Sequence, residues 1–380
     1  MSAEHAPRRR SPLRWLLGPE GWPYIMAPLI PIALVLEFAH ASHVAIFTAA
    51  ALGIVPTAAL MGKATEELAA RSGPGIGGLL NVTFGNFPEL VIAFFALNEG
   101  LQEVVKASII GSIIGNILLV MGAAMLVGGW KRDKQSFNRT AANAQSAMLL
   151  LALAALIAPA VFQLVHGGGL PGVGEERVDF GSDLETLSLG VAIVLLVAYV
   201  AGLIFSLKTH RAVFNPFGEG EEEEEAHHWP VRRAAIYLAL SAVAVGLMSE
   251  ILVGSISEAS EDIGLSEFFV GVFVVAIVGN AAEHWVAVLV AAKDKMDLAV
   301  NIAIGSSAQI ALFVAPVLVL LSFVVGPDPM ALVFNGYELV ALVFAVLIAN
   351  FVTQEGESNW FEGVQLLALY AVLGLVFYFA

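Results

Sequence analysis

The chain alternates long apolar runs with short polar interruptions, and the runs have the length of membrane spans. A spanning helix needs about 20 mostly apolar residues. Eleven segments qualify: about 23–41, 43–61, 75–98, 104–129, 142–165, 183–207, 231–254, 267–292, 297–323, 331–352 and 361–379. The runs are continuous and lack the short alternating pattern of a membrane barrel. The pattern therefore predicts an all-α integral membrane protein of about eleven transmembrane helices.

The polar connections test that expectation. With the N-terminus in the cytoplasm, eleven spans place all but two of the 18 basic residues on the cytoplasmic side. These are Arg8, Arg9, Arg10, Arg14, Lys63, Arg71, Lys131, Arg132, Lys134, Arg139, Lys208, Arg211, Arg232, Arg233, Lys293 and Lys295. The exceptions are Lys106 and Arg177. Cytoplasmic loops carry the excess of Lys and Arg, so the bias orients the chain with its C-terminus outside. The sequence "AHA" at 39–41 resembles a signal-peptidase site, but Pro28 and Pro31 interrupt a run that is long for a signal peptide, and the reading kept is an uncleaved first span. Glu37, Glu66, Glu67, Glu250 and Glu338 fall near predicted helix ends or lack a partner, and read as interfacial or structural.

Composition agrees with a membrane protein: of 380 residues, 58% are hydrophobic and 13% charged, against roughly 25% charged in soluble proteins. Mean hydropathy is +0.82. The absence of cysteine excludes disulfides and thiolate metal sites. A net charge of −15 excludes a basic nucleic-acid footprint. Part of that charge sits in "GEGEEEEEAHH", whose acidic run at 219–225 reads first as a solvated cytoplasmic linker.

The chain repeats itself. Residues 80–120 align without gaps to residues 274–314 at a constant offset of 194. Gly85 matches Gly279, Asn86 matches Asn280, Glu89 matches Glu283, and Gly111-Ser112 matches Gly305-Ser306. The matches fall on residues that are unusual in a membrane span, which chance similarity between two apolar helices would not produce. By the loop assignment the helix carrying Glu89 starts inside and the one carrying Glu283 starts outside. The copies thus run in opposite directions, as the inverted repeats of secondary transporters do, with the substrate site near the midplane. The expected division is an N-terminal segment and first helix (1–42), a five-helix repeat of helices 2–6 (43–207), an acidic linker (208–230) and a second repeat of helices 7–11 (231–380).

A carboxylate in the bilayer interior costs several kcal/mol unless it meets protein, water or a cation, so Glu89 and Glu283 are functional candidates. Asn86 and Glu89 lie three apart, as do Asn280 and Glu283, so each pair shares a helix face. Ser112 with Asn116, and Ser306 with Gln309, offer further oxygens. Pro88 would free the carbonyl of Phe84, Pro316 would free that of Leu312, and Gly85 permits bending or close approach. Such hard oxygen ligands suit Ca²⁺. Two carboxylates in one low-dielectric site repel one another, so cation and protons compete for them. His284 points about 100° away from Glu283 around the helix; it is a candidate to relay protons or to orient its polar neighbours. Asn, Ser and Gly in membrane helices often serve packing alone, a reading weakened by their duplication together with the carboxylates. No H-E-x-x-H and no P-loop is present, which argues against a protease, an ATP-driven pump or any enzyme.

"GNFPELVIAFFAL" with "GSIIGN", and "GNAAEHWVAVLVA" with "GSSAQIALFV", resemble the cation/proton exchanger branch of the calcium/cation antiporter superfamily. "MGKATEELAARSGPGIGGLLN" (61–81) and "KDKMDLAVNIAIG" (293–305) share the likeness, which covers most of residues 60–325. The resemblance implies a Ca²⁺/H⁺ antiporter whose last ten helices form two inverted halves joined by an acidic cytoplasmic segment. Glu89 and Glu283 would bind cation and protons, and Asn86, Asn280, Ser112, Ser306, Asn116 and Gln309 would line the pathway, with Gly85 and Gly279 beside them. Ca²⁺ and H⁺ would be substrates, the lipid bilayer the surroundings, no cofactor would be needed, and a bacterial inner membrane is the default location. Many members carry Ala-Thr at Phe87-Pro88 and Ser at Gly115, which leaves the coordination shell open. Na⁺/Ca²⁺ exchange is the alternative among transporters, and a passive cation channel is the alternative of another class.

Overall fold

The computed structural model describes residues 21–173, 181–209 and 229–380. Arg8, Arg9, Arg10, Arg14, Arg177, Arg211 and the acidic run at 219–225 lie outside the described residues. Among the described residues nine helices are long and apolar enough to cross a membrane, with a tenth if the bent pair Leu79–Gly85 and Phe87–Asn98 is one span. In chain order, α1 is the shorter apolar helix Trp22–Phe38, α2 is His43–Ser72, α3 the bent pair and α4 Gln102–Gly129. Then α5 is Arg139–Val165, α6 Asp183–Thr209, α7 Val231–Gly254 and α8 Glu267–Ala292. Finally α9 is Met296–Ser322, α10 Gly336–Glu355 and α11 Trp360–Phe379.

The helical membrane architecture is as expected, and among the described residues up to ten of the eleven expected spans meet the length of a membrane crossing. The shortfall is at α1, which breaks into Trp22–Met26 and Leu29–Phe38 around Pro28, where proline cannot continue the ladder. Two boundaries also differ. α2 extends past residue 61 to Ser72, since Lys63, Glu66 and Glu67 are good helix formers. α10 starts at Gly336 rather than near 331, because Asn335 and Glu338 form a reciprocal capping box that fixes the start. Helical backbone continues from α2 into α3, yet a Cβ at Gly77 would stand 2.5 Å from the carbonyl oxygen of Ala69. Eight residues of straight helix would separate those positions by about 12 Å, so the chain folds back between them.

The connections sort onto two faces. On one, Arg132 pairs with Asp294 at 3.2 Å and Lys134 with Glu357 at 2.7 Å, joining the α4–α5, α8–α9 and α10–α11 connections. There strand Gln135–Ser136 pairs antiparallel with Glu357–Ser358. This is the basic face. On the other, Gln102 donates to the carbonyl of Asp328 at 2.8 Å, and Leu332 N–H donates to Ser188 Oγ at 3.0 Å. α3 therefore ends at the opposite face and α8 at the basic one, so the Glu89 and Glu283 helices cross in opposite senses.

α4 and α9 form the centre, with 83% and 67% of their apolar windows enclosed, against 22% for α6 and α11. Val194, Val197 and Val200 on α6 and Val372 and Leu375 on α11 are exposed, as lipid-facing positions should be. Ser307 Oγ lies 3.4 Å from the carbonyl of Ile113. These two positions are equivalent under the repeat offset, so the pseudo-two-fold axis passes between them. α4 and α8 cross with backbones in contact: a side chain on Gly111 would overlap the carbonyl of Val272. Small residues permit that approach in membrane bundles.

Candidate functional site

The repeat places its unusual residues where the two central helices meet α3 and α8. π-helical turns occur at Gly115–Val120 in α4 and Ile310–Val314 in α9, equivalent positions of the two copies. Such turns cluster at functional sites because they re-aim side chains. α3 has a break of its own: Asn86, at φ −101° and ψ 22°, ends one helix and starts the next, two residues before Pro88. The equivalent Asn280 sits inside the continuous helix Ala276–Ala292, because Ala282 stands where the first copy has Pro88. The expected release of the Phe84 carbonyl thus coincides with a real bend of 44° in α3.

Each carboxylate packs against the glycine of the other copy. A Cβ on Gly279 would lie 3.2 Å from Glu89 Cγ, and one on Gly85 would lie 3.4 Å from Glu283 Oε1. The two glycines therefore make room for the two glutamates reciprocally across the pseudo-axis. Residues 194 apart in sequence are thus brought into one site.

The hydrogen bonds are less symmetric than the sequence. Ser306 Oγ donates to Glu283 Oε2 at 2.5 Å. Ser112, its counterpart, instead accepts from Asn280 Nδ2 at 2.9 Å, and Asn280 Nδ2 also donates to the carbonyl of Ala276 at 2.8 Å. Asn86 Nδ2 donates to Gln309 Oε1 at 2.6 Å, and Asn116 Nδ2 donates to Asn280 Oδ1 at 3.4 Å. Glu89 Oε2 and Asn86 Oδ1 are buried and have no hydrogen-bond partner. Buried polar atoms are nearly always satisfied, so these two oxygens are acceptors with capacity to spare inside the site. Glu283 Oε2 thus accepts a hydroxyl hydrogen bond, whereas Glu89 Oε2 accepts none.

His284 Nε2 lies 3.2 Å from Asn116 Oδ1 and donates to it in the tautomer protonated there. The imidazole thus reaches the site through Asn116. All eleven residues expected from the sequence converge on this centre. Ser108, unmarked by the repeat, lines a cavity with Glu89, Ser112 and Ala276; its volume of about 10 Å³ holds about one water. Its signal in the sequence was the four-residue spacing to Ser112, which puts both on one helix face. Pro316 follows the π-helical stretch of α9.

Of the two expected roles for Glu338, interfacial or structural, the structure shows the second: it caps the start of α10, is 0% exposed, and lies close enough to Glu103 and Lys106 to interact with both. Lys106 is buried too, so it is not a loop charge at all. Capping geometry hid the first, and the Glu103–Lys106 ion pair, spaced three apart in an apolar run, was the available signal for the second. Among the described residues no group of three or more His, Cys, Asp or Glu side chains is arranged to hold a metal ion. The site chemistry is that of two carboxylates supplemented by neutral amide and hydroxyl oxygens.

Known proteins resemble the chain along most of its length. The family model described as sodium/calcium exchanger protein matches residues 42–208 and 233–379. The Ca²⁺/H⁺ antiporter of Aphanothece halophytica is 45% identical over 364 residues, covering 92% of this chain and 94% of that protein. The Ca²⁺/H⁺ antiporter ChaA of Bacillus subtilis (strain 168) is 44% identical over 356 residues, 93% of this chain and 97% of its own. The solved structure of native YfkE superimposes with a TM-score of 0.79 at 40% identity, covering 94% of this chain and all of that one.

Proposed function

The chain belongs to the sodium/calcium exchanger family, and on that premise we propose that it exchanges Ca²⁺ for H⁺, with Glu89 and Glu283 as the carboxylates for which the two compete. The observation that carries this reading is the reciprocal packing of each glutamate on the other copy's glycine, which concentrates two negative charges in one enclosed site. Either a divalent cation or protons can neutralise that pair, and one excludes the other. Ca²⁺ takes six to eight oxygens in flexible geometry, and the unpartnered Glu89 Oε2 and Asn86 Oδ1 are the oxygens ready to serve. Glu283, Ser306, Gln309, Ser112, Asn116 and Asn280 supply or orient the others, and His284 acts through Asn116.

Alternating access would come from motion of halves 43–207 and 231–380 about the axis at Ile113 and Ser307. The two stretches matched by the family model support that division. The Lys- and Arg-rich connections support a cytoplasmic basic face and a bacterial inner-membrane location. Under an inward proton gradient such a protein exports Ca²⁺.

In everted vesicles with a preformed proton gradient, added Ca²⁺ should release protons. Glu89→Gln and Glu283→Gln should each abolish that release at normal expression. Retained exchange in either variant would remove that residue from the mechanism, and Ca²⁺ uptake driven by a sodium gradient alone would establish Na⁺/Ca²⁺ exchange instead. Flux that follows voltage and ignores both gradients would establish a channel.

A further inference from the structure

Four polar side chains of α4 and the start of α10 are sealed together at the face opposite the basic one. Glu103, Lys106, Asn335 and Glu338 are 5%, 4%, 0% and 0% exposed. Lys106 Nζ donates to Glu103 Oε1 at 3.0 Å and to the carbonyl of Val333 at 3.2 Å. Asn335 Oδ1 accepts from Glu338 N–H at 2.9 Å, and Glu338 Oε2 accepts from Asn335 N–H at 2.8 Å. Glu103 Oε2, Glu338 Oε1 and Asn335 Nδ2 are buried without partners. Glu103 and Lys106 are the charged groups that act on Glu338. Asp328 in the adjoining loop and Glu267 on α8, which packs against α4, are only partly buried.

The charges do not balance. Two carboxylates face one ammonium, and ionising both would leave one negative charge uncompensated away from water, at a cost of several kcal/mol. One further positive charge is needed for the sealed arrangement. Lys106 already takes the position of a cation beside Glu103, whereas a proton fits either free carboxylate oxygen and turns it into a donor.

The equivalent position at the basic face lacks this feature. The repeat offset maps Glu103 onto Asp297, whose carboxylate accepts from Asn138 N–H. Asn138 caps α5 through Ala141 N–H as Asn335 caps α10 through Glu338 N–H. The same framework there carries Ala141 in place of Glu338 and Val300 in place of Lys106, and Asn138 is exposed. Among the described residues, this Glu–Lys–Glu cluster is therefore present at one end of the repeat and absent from the equivalent place at the other.

We propose that Glu338, together with Glu103 and Lys106, forms a proton-binding site separate from Glu89 and Glu283, and that an occupied site holds this end of the pathway closed. Losing the proton leaves a carboxylate that gains from water, and the seal opens. The inference stands on the charges in this cluster and does not rest on Ca²⁺/H⁺ exchange.

The chain contains no cysteine, so Ser108→Cys, buried between the seal and the Glu89 cavity, is a single reporter. Its reaction with a membrane-impermeant maleimide is followed against pH in Ca²⁺-free vesicles of both orientations, with and without Glu338→Gln. Taking the ratio of the two rates cancels the thiol's own ionisation. In the orientation exposing the Glu338 end, the ratio should rise with pH by up to about tenfold per pH unit, the slope of a one-proton linkage. Glu103→Gln frees Lys106 to neutralise Glu338, so it should flatten the profile in the same way, and it carries the test if Glu338→Gln does not fold. A ratio constant with pH for the variant that folds would overturn the proposal. No Ca²⁺ is used, so failure of the exchange reading leaves this result intact.

Discussion

Ser306 and Ser112 occupy equivalent positions of the repeat, yet their removal should have unequal effects. Ser306 Oγ donates to the carboxylate of Glu283 at 2.5 Å, a short charge-assisted bond, whereas Ser112 Oγ accepts from the amide of Asn280 at 2.9 Å. Both serines are buried, at 6% and 3% exposure, so neither bond is readily replaced by bulk water. A hydrogen bond to a charged group contributes about 1.5–3 kcal/mol and a neutral one about 0.5–1.5 kcal/mol. At about 1.4 kcal/mol per tenfold change, Ser306→Ala should raise the Ca²⁺ concentration for half-maximal proton release by roughly tenfold to 150-fold. Ser112→Ala should raise it by roughly two- to tenfold by the same conversion. The sign follows because the Ser306 hydroxyl supports the ionised carboxylate that Ca²⁺ requires, and alanine removes that support. The assay is recovery of a quenched pH-sensitive dye in everted vesicles as Ca²⁺ is titrated, at fixed pH and normalised to protein amount. Equal effects of the two substitutions would refute the asymmetry drawn from the hydrogen bonds. A near-normal Ser306→Ala would refute the anchoring of Glu283.

Glycines in α4 should differ sharply in tolerance. Gly111→Ala sets a methyl group against the backbone of Val272, which cannot rotate away, and should lower thermal stability in detergent by about 1–3 kcal/mol or more. Gly115→Ser meets no heavy atom within 4 Å of its new Cβ and should leave stability and exchange close to normal, checked in the same melt and vesicle assays. Asn335→Ala removes the cap of α10 and leaves Glu338 N–H without its acceptor, so it should cost about 1–2 kcal/mol in the melt. Lys134→Ala removes an ion pair whose partners are 62% and 49% exposed and should change stability by less than about 1 kcal/mol.

Hydropathy alone carried the helical membrane architecture, because in lipid every backbone group must bond internally and long apolar runs have few other outcomes. It failed where local chemistry set the boundaries: Pro28 split the first helix, and the Asn335–Glu338 box moved the start of α10. The repeat also pointed to Glu89, Glu283 and their amide and hydroxyl neighbours, since polar residues in an apolar run are costly enough to mark a site. What it could not convey was partnership. Whether Ser306 meets Glu283 or Asn86, the equivalent of Ser112's partner Asn280, depends on angstrom-scale packing, and one copy has the bend at Pro88 while the other lacks it.

The sequence by itself determined the class of fold, the two copies and the residues that meet between them. These follow from the period of hydrophobicity and from an offset that survives any rotation of the helices. Only the tertiary structure decided that each glutamate lies on the other copy's glycine, that Ser306 bonds Glu283 while Glu89 Oε2 has no such partner, and that Lys106 and Glu338 belong to one sealed cluster. The physical reason is that hydrogen bonds and charge pairs between residues far apart in the chain depend on helix rotation and bend, which hydropathy does not encode.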